Sequence, residues 1–204
     1  MKKLSVLILI SAFIISAGQV FSQKLKSGDL TVLKGQTTVN LKYDYSSMEI
    51  GKFKNEKSYI ENGIKDRNKK KPGSGDEWAK KWESDKTDRF QPTFERNLNA
   101  KLLDIGMKAE ENAVNAKYTI IVKTAFMEPG FQSGAGISKP AYINMIVDLV
   151  ETSNQAGVVG QIEYNKIQSV NMMGYDFDTG GRIQSCYDRA GDNIGKLILK
   201  TLSK

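Results

Sequence analysis

Three consecutive strand-like segments restrict the fold of this chain more than any other feature. They span Lys117–Glu128, Ala141–Thr152 and Val158–Val170, and each is dense in the branched and aromatic residues that strands favour. Glycine, serine and proline fill the first connection, and the stretch Ser-Asn-Gln-Ala-Gly forms the second. Segments joined in this way form an antiparallel meander. We therefore expect three adjacent antiparallel strands.

Two amphipathic segments flank this meander and predict helices. The first begins at Pro92 and ends at Gly106, which is a natural helix stop. The second runs from Gly181 towards the end of the chain, where lysines gather as the helix dipole favours. Apolar residues at helical spacing form one stripe on each helix. The stripes are Phe94, Leu98, Leu102 and Ile105 on the first helix, and Ile183, Tyr187, Ile194, Leu197, Ile198 and Leu202 on the second.

An extended region is expected upstream, from Thr31 to Met48. Val39, Leu41 and Tyr43 alternate there with polar residues, which is the period of a half-buried strand. A further short strand is possible around Met107–Glu111. The simplest fold for this order is an α+β domain, in which a single, mostly antiparallel sheet has helices packed on one face.

A charged insertion at about residues 52–90 separates the first strand from the helices. Its pattern predicts a helix over Asn55–Lys69, a break at Pro72–Gly75 and a second helix from Asp76. Five of the seven residues in Lys65–Lys71 are basic, which indicates either a solvated helix end or a contact for anionic lipids or acidic glycans. Trp78 and Trp82 lie on one helix face, either as core or as a platform for a carbohydrate or a partner.

Residues 1–22 have the pattern of a secretory signal peptide. Lys2 and Lys3 precede an apolar run, and small residues stand before a junction at Ser22–Gln23. The run is shorter than the roughly 20 residues that a membrane-spanning helix needs. We expect residues 23–204 to form one exported domain without an integral membrane segment, located in the periplasm or secreted, in the cell envelope of a Gram-negative bacterium.

Composition excludes several kinds of chemistry. The chain has no histidine, which removes the commonest general base and the usual Ser-His and Cys-His nucleophiles. Cys186 is the only cysteine, so no internal disulfide can form. The net charge of +7 falls to +5 without Lys2 and Lys3, which does not indicate a nucleic-acid partner.

The segment Asp176–Gly181 begins like an EF-hand calcium loop. Acids stand at its first and third positions, but position five is Gly180, and position twelve is Tyr187 where a bidentate Glu is required. We therefore favour a turn in which Asp178 or Thr179 caps the last helix.

Three further candidate sites also have simpler interpretations. The acids Asp176, Asp178, Asp188 and Asp192 could pair for carboxylate-based hydrolysis, although their spacing brings no pair together. Cys186 lies beside an apolar stripe and is expected to be a buried hydrophobe. The glycine-rich loop at 129–140 lacks the P-loop spacing and predicts a hairpin loop. No residue is therefore predicted to be catalytic, cofactor-binding or metal-ligating.

The order of these elements resembles a group of small envelope domains related to the amino-terminal domain of TolB and to the curli-secretion channel subunit. Their pattern is an apolar helix, a glycine, an Ala-Asp-Tyr-like strand start and a strand that ends in an acid before a turn. Lys117 stands where the group usually has Asp, and the turn is longer. The matching residues here are Phe94, Leu98, Leu102, Gly106, Ala116, Tyr118 and Glu151.

The resemblance implies an envelope location and a role in interaction or assembly, and it brings no catalytic residues. The leading hypothesis is a non-enzymatic domain that binds an envelope protein or polymer. The first alternative is a small-ligand or lipid-binding module in which the insertion covers one face of the sheet. The second is a hydrolase that uses carboxylates alone.

Overall fold

The computed structural model describes residues 23–133, 137–170 and 178–204. The predicted signal peptide and Asp176 lie outside these ranges. The strands are β1 (Gln23–Gly28), β2 (Thr38–Asp44), β3 (Glu49–Ile50), β4 (Lys108–Glu111), β5 (Tyr118–Glu128), β6 (Phe131–Gln132), β7 (Ser138–Lys139), β8 (Tyr142–Glu151) and β9 (Asn154–Gln168). The helices are α1 (Glu56–Lys70), α2 (Ser74–Asp85), α3 (Gln91–Leu102) and α4 (Thr179–Leu202), with a π-helical turn at Lys86–Phe90 between α2 and α3.

The fold is α+β, built on a seven-stranded mixed sheet in the order β1-β9-β8-β5-β2-β4, with β3 beside the far end of β5. The predicted meander is confirmed: β5 pairs antiparallel with β8, and β8 pairs antiparallel with β9. A separate hairpin, β6–β7, lies in the first connection. Within the described part of the chain no helix is long and apolar enough to cross a membrane.

Half of the main sheet is parallel, whereas the sequence predicted a mostly antiparallel sheet. β2, β3 and β4 run parallel to their neighbours. The chain reaches β5 from β2 through three helices, and a long crossover of this kind is what a parallel pair requires. One local expectation also fails, because Thr31–Leu33 form a 3-10 turn instead of extended structure. Residues 23–28 form an edge strand that was not predicted from the sequence.

α3 and α4 pack on one face of the sheet, as predicted. Strand side chains reach both helices: the Tyr43 ring meets Phe94 edge-on at 5.9 Å, and the Thr124 and Tyr187 hydroxyls are 2.6 Å apart. The predicted stripes are buried, with two exceptions on α4 and one after α3. Leu197, Leu202 and Ile105 are half-buried against the edge of the core.

Glycine sets the distance between these two helices. A Cβ at Gly191 would overlap the carbonyl oxygen of Phe94, and a Cβ at Gly195 would lie 2.8 Å from the Lys101 Cβ. The two glycines are four residues apart and therefore share one face of α4. The backbone of α3 approaches α4 closely because that face carries no side chain.

Candidate binding surface on the helical insertion

The helical insertion, residues 52–90, is an α-hairpin with an aromatic centre of its own. Asn55 caps α1 by accepting a hydrogen bond from the Ser58 amide at 2.9 Å. Trp82 is 3% exposed, and its Nε1 donates to the Glu56 carboxylate at 2.6 Å. The Tyr59 ring lies 4.8 Å from the Trp82 ring. The core interpretation is thus confirmed for Trp82, which offers no open platform.

Trp78 is half-buried and is covered from α1. A Cβ at Gly63 would overlap its ring, so only glycine lets the indole lie against α1 at this point. The Arg67 guanidinium stacks 4.0 Å from the Trp78 ring centre and donates to the Gly63 carbonyl at 3.3 Å. Both tryptophans therefore serve chiefly to hold the two helices of the hairpin together.

The exposed lysines lie at the far end of this hairpin. Lys65, Lys69, Lys70 and Lys71 are all exposed, at or just past the C-terminal end of α1. Lys69 lies 3.8 Å from Asp66, and the salt bridges among the described residues include none of the other three. The insertion contains twelve basic and eight acidic residues, a net charge of +4. Nearly all of the excess charge of residues 23–204 is thus carried by this one element.

A group of charged side chains joins the insertion to the start of α4. Asp178 caps α4 by accepting from the Gly180 amide at 3.2 Å, which confirms the predicted cap, whereas Gly180 and Gly181 lie within the first turn of α4 and not in a turn before it. The same carboxylate is 2.7 Å from Arg89 and 3.3 Å from Lys81. Gly180 is required here, because a Cβ would overlap the Asp85 carboxylate. Sequence reasoning missed this junction, since Arg89 and Asp178 are 89 residues apart.

The two carboxylates at this junction differ in acidity. Burial acts to raise the pKa of Asp178, but the hydrogen bond and charge of Arg89 outweigh it, so the pKa is lowered. Asp85 is 5% exposed, and burial raises its pKa although Arg89 lies 3.3 Å away. Because Asp178 is already bound to an amide and two cations, it is poorly placed to act as a calcium ligand.

A small cleft lies between the hairpin and α4. Its volume is about 210 Å³, and Arg67, Trp78, Lys81 and residues 178–180 contribute to its lining. Its charged groups are largely satisfied by one another, as the Lys81–Asp178 pair shows. The cleft therefore offers little unused binding capacity.

The remaining sequence candidates do not converge. Asp188 accepts from Asn97 at 2.8 Å, and Asp192 lies 2.6 Å from Lys196. Cys186 is fully buried, and burial raises the pKa of its thiol to about 12, which fits a buried hydrophobe. Within the described ranges no three acid, cysteine or histidine side chains lie close enough to hold a metal ion.

The glycine-rich loop at 129–140 is described except for residues 134–136, and its base forms the predicted hairpin. Arg182, which is 5% exposed, fixes this base from α4 by donating to the carbonyls of Pro129 at 3.2 Å and Gly130 at 3.3 Å. No pattern in the sequence identified Arg182, because a helical arginine next to a glycine pair is normally solvated.

Comparisons with known proteins give no family. No family description matches the chain, and no curated protein matches its sequence. Two solved structures are similar in part: a PelC dodecamer from Paraburkholderia phytofirmans and a single-residue variant of it. They share 10% and 11% sequence identity with this chain, with TM-scores of 0.39 and 0.38. Each match covers 84% of this chain and 96% of the other. Similarity this weak supports no conclusion about function.

Proposed function

We propose that this protein is a non-enzymatic domain of the Gram-negative cell envelope that binds an anionic envelope polymer through the basic end of the helical insertion. The observation that carries the proposal is the group of exposed lysines at that end, Lys65, Lys69, Lys70 and Lys71. The charged start and apolar run of residues 1–22 support export.

A solvated helix end is the simpler explanation of these lysines, because the helix dipole stabilises each positive charge near the C-terminal end of a helix by about 0.3–1 kcal/mol. It explains lysines in the last turn of α1, but it does not explain a net charge of +4 concentrated in one insertion. The body of the insertion joins the main core: Phe90 is 1% exposed and stacks on Tyr187 at 5.2 Å, and α1 contacts β3. The exposed lysines lie at the far end of the hairpin, where a partner can reach them.

The same placement argues against the two alternative functions. A lipid-binding module would need the insertion to cover one face of the sheet, whereas α3 and α4 cover that face and their stripes fill the space beneath. A carboxylate hydrolase would need two unpaired acids facing one cleft. Asp188 and Asp192 lie at separate points along α4, each within 4.0 Å of a basic side chain. Asp178 and Asp85 line the same cleft, but the Arg89 guanidinium pairs with both carboxylates, at 2.7 and 3.3 Å.

Binding to polygalacturonate, a linear anionic polysaccharide, tests the proposal, with neutral dextran as the comparison polymer. Each lysine near an anionic surface contributes about 1 kcal/mol, so Lys69→Gln, Lys70→Gln and Lys71→Gln together should weaken binding by roughly a hundredfold. Binding should also weaken as salt is added, because exposed charges are screened.

The matched control is the triple variant Lys34→Gln, Lys200→Gln and Lys204→Gln. It makes the same change in net charge at exposed lysines outside the insertion. Equal losses in the two triple variants would mean that only net charge matters. That result, or equal binding to dextran, would contradict the proposal.

A further inference from the structure

The main sheet has a notch at its β4 edge, which is the edge opposite β1. β4 pairs with β2 only from Thr38 to Leu41, whereas β2 continues beside β5 to Asp44. Asn112 has a φ of 64°, a left-handed conformation in which the chain turns directly after β4. The last three residues of β2 therefore have a strand on one side only. Unpaired edges of this kind are templates for a further strand.

The notch is a real cavity with an unpartnered polar group. Its volume is about 400 Å³, and its lining includes Asn40, Lys42, Tyr43, Glu111 and Val114. Asn40 is 2% exposed and its Nδ2 donates to the Thr119 hydroxyl at 3.1 Å, but its Oδ1 has no hydrogen-bond partner. A buried acceptor without a donor is uncommon in native proteins.

The lining of the notch includes a carboxylate without a salt bridge. Glu111 lines it, and the salt bridges among the described residues do not include Glu111. The lysine of the lining, Lys42, instead donates to Gln155 at 3.0 Å. Burial raises the pKa of Glu95 on α3, the charge of Glu111 raises it further, and the charge of Lys108 lowers it. A cation from outside would pair with Glu111.

We infer that the notch binds an extended segment of a partner polypeptide, which lies beside the end of β2 and places a Lys or Arg side chain against Glu111. Addition of a strand to a free edge is a recurring mode of peptide recognition, in which main-chain hydrogen bonds give affinity and side-chain contacts give specificity. The free edge accounts for an extended occupant, the open acceptor of Asn40 for a donor, and Glu111 for a basic side chain.

Two five-residue peptides and NMR of the isotopically labelled mature chain test this inference. The probes are acetyl-Thr-Val-Lys-Val-Thr-amide and the same peptide with Glu in place of Lys. The Lys peptide should shift the amide signals of residues 42–44 and the Asn40 side chain at millimolar concentration. Because a charge-assisted hydrogen bond is lost, Glu111→Gln should weaken binding by about tenfold or more.

The matched control is Glu77→Gln, which removes the same charge from an exposed acid outside the notch, and it should change affinity by less than about twofold. No shift at the notch would mean that Asn40 is merely hydrated. Equal shifts with both peptides, or shifts confined to β1, would remove the basis for a basic strand. Notch signals that change on dilution of the protein alone would assign the edge to a second copy. Each of these outcomes overturns the inference.

Discussion

Gly191→Ala tests the packing of α3 against α4, on which the placement of both helices on one face of the sheet depends. The added Cβ would overlap the carbonyl oxygen of Phe94, which belongs to the backbone of α3 and cannot rotate away. Overpacking of this kind costs about 1–3 kcal/mol, and an unyielding backbone favours the upper end of that range. Alanine regains about 1 kcal/mol of helix propensity relative to glycine. The net loss should therefore be about 2 kcal/mol.

Gly181→Ala is the matched control, because it makes the same substitution in the same helix. Its Cβ would lie 3.5 Å from Arg89 Nη2, an ordinary contact, so the packing cost is absent. The reduced freedom of the unfolded chain should stabilise this variant by about 0.4–1 kcal/mol. The two substitutions should thus have opposite signs.

Thermal unfolding followed by circular dichroism measures both effects. For a domain of this size each kcal/mol shifts Tm by roughly 2–4 °C, so Gly191→Ala should lower Tm by about 4–8 °C while Gly181→Ala raises it slightly. Urea titration should give the same order of stability. If Gly191→Ala were as stable as the parent chain, α3 and α4 would not be in close contact, and the placement of both helices on the sheet would be refuted.

Three further measurements follow from the structure. Leu102→Ala removes a fully buried side chain and should cost about 2–5 kcal/mol in urea titration, whereas Leu197→Ala, at a half-buried position, should cost clearly less. Tyr187→Phe leaves the buried Thr124 hydroxyl without its 2.6 Å partner and should cost about 1–3 kcal/mol, with little added loss when Thr124→Val is combined with it. Millimolar calcium should leave Tm unchanged, because the Asp178 carboxylate already binds an amide and two cations; a rise of several degrees would show a calcium site there.

The part of the fold that sequence predicted correctly rests on local periodicity. Phe94, Leu98 and Leu102 recur at helical spacing and are all fully buried. Asp178 precedes a glycine pair and an apolar stripe, and this local pattern located its cap. Leu197 fits the same periodicity but is only half-buried, since it lies at the margin of the stripe where Ile194 and Ile198 take the central positions.

The part that sequence could not predict depends on contacts between distant residues. The direction of β2 against β5 is decided by the path of the chain through three helices, and the alternation of Val39 and Leu41 is the same in either direction. The same limit applies to Arg89, whose partner Asp178 lies on another helix. The left-handed turn at Asn112 and the free end of β2 likewise leave no periodic pattern.

The lysines of the proposed binding surface differ from the structural lysines in the groups that surround them. Lys86 is a structural charge: its side chain is 14% exposed and lies 2.8 Å from the Glu56 carboxylate, where the π-helical turn meets α1. Lys70 and Lys71 are exposed, and the salt bridges among the described residues include neither. A buried pair is screened little by salt, whereas exposed charges lose most of their reach above about 0.1 M. Moderate salt should therefore release an anionic polymer from the end of α1 while the insertion stays folded, so binding and stability can be measured independently.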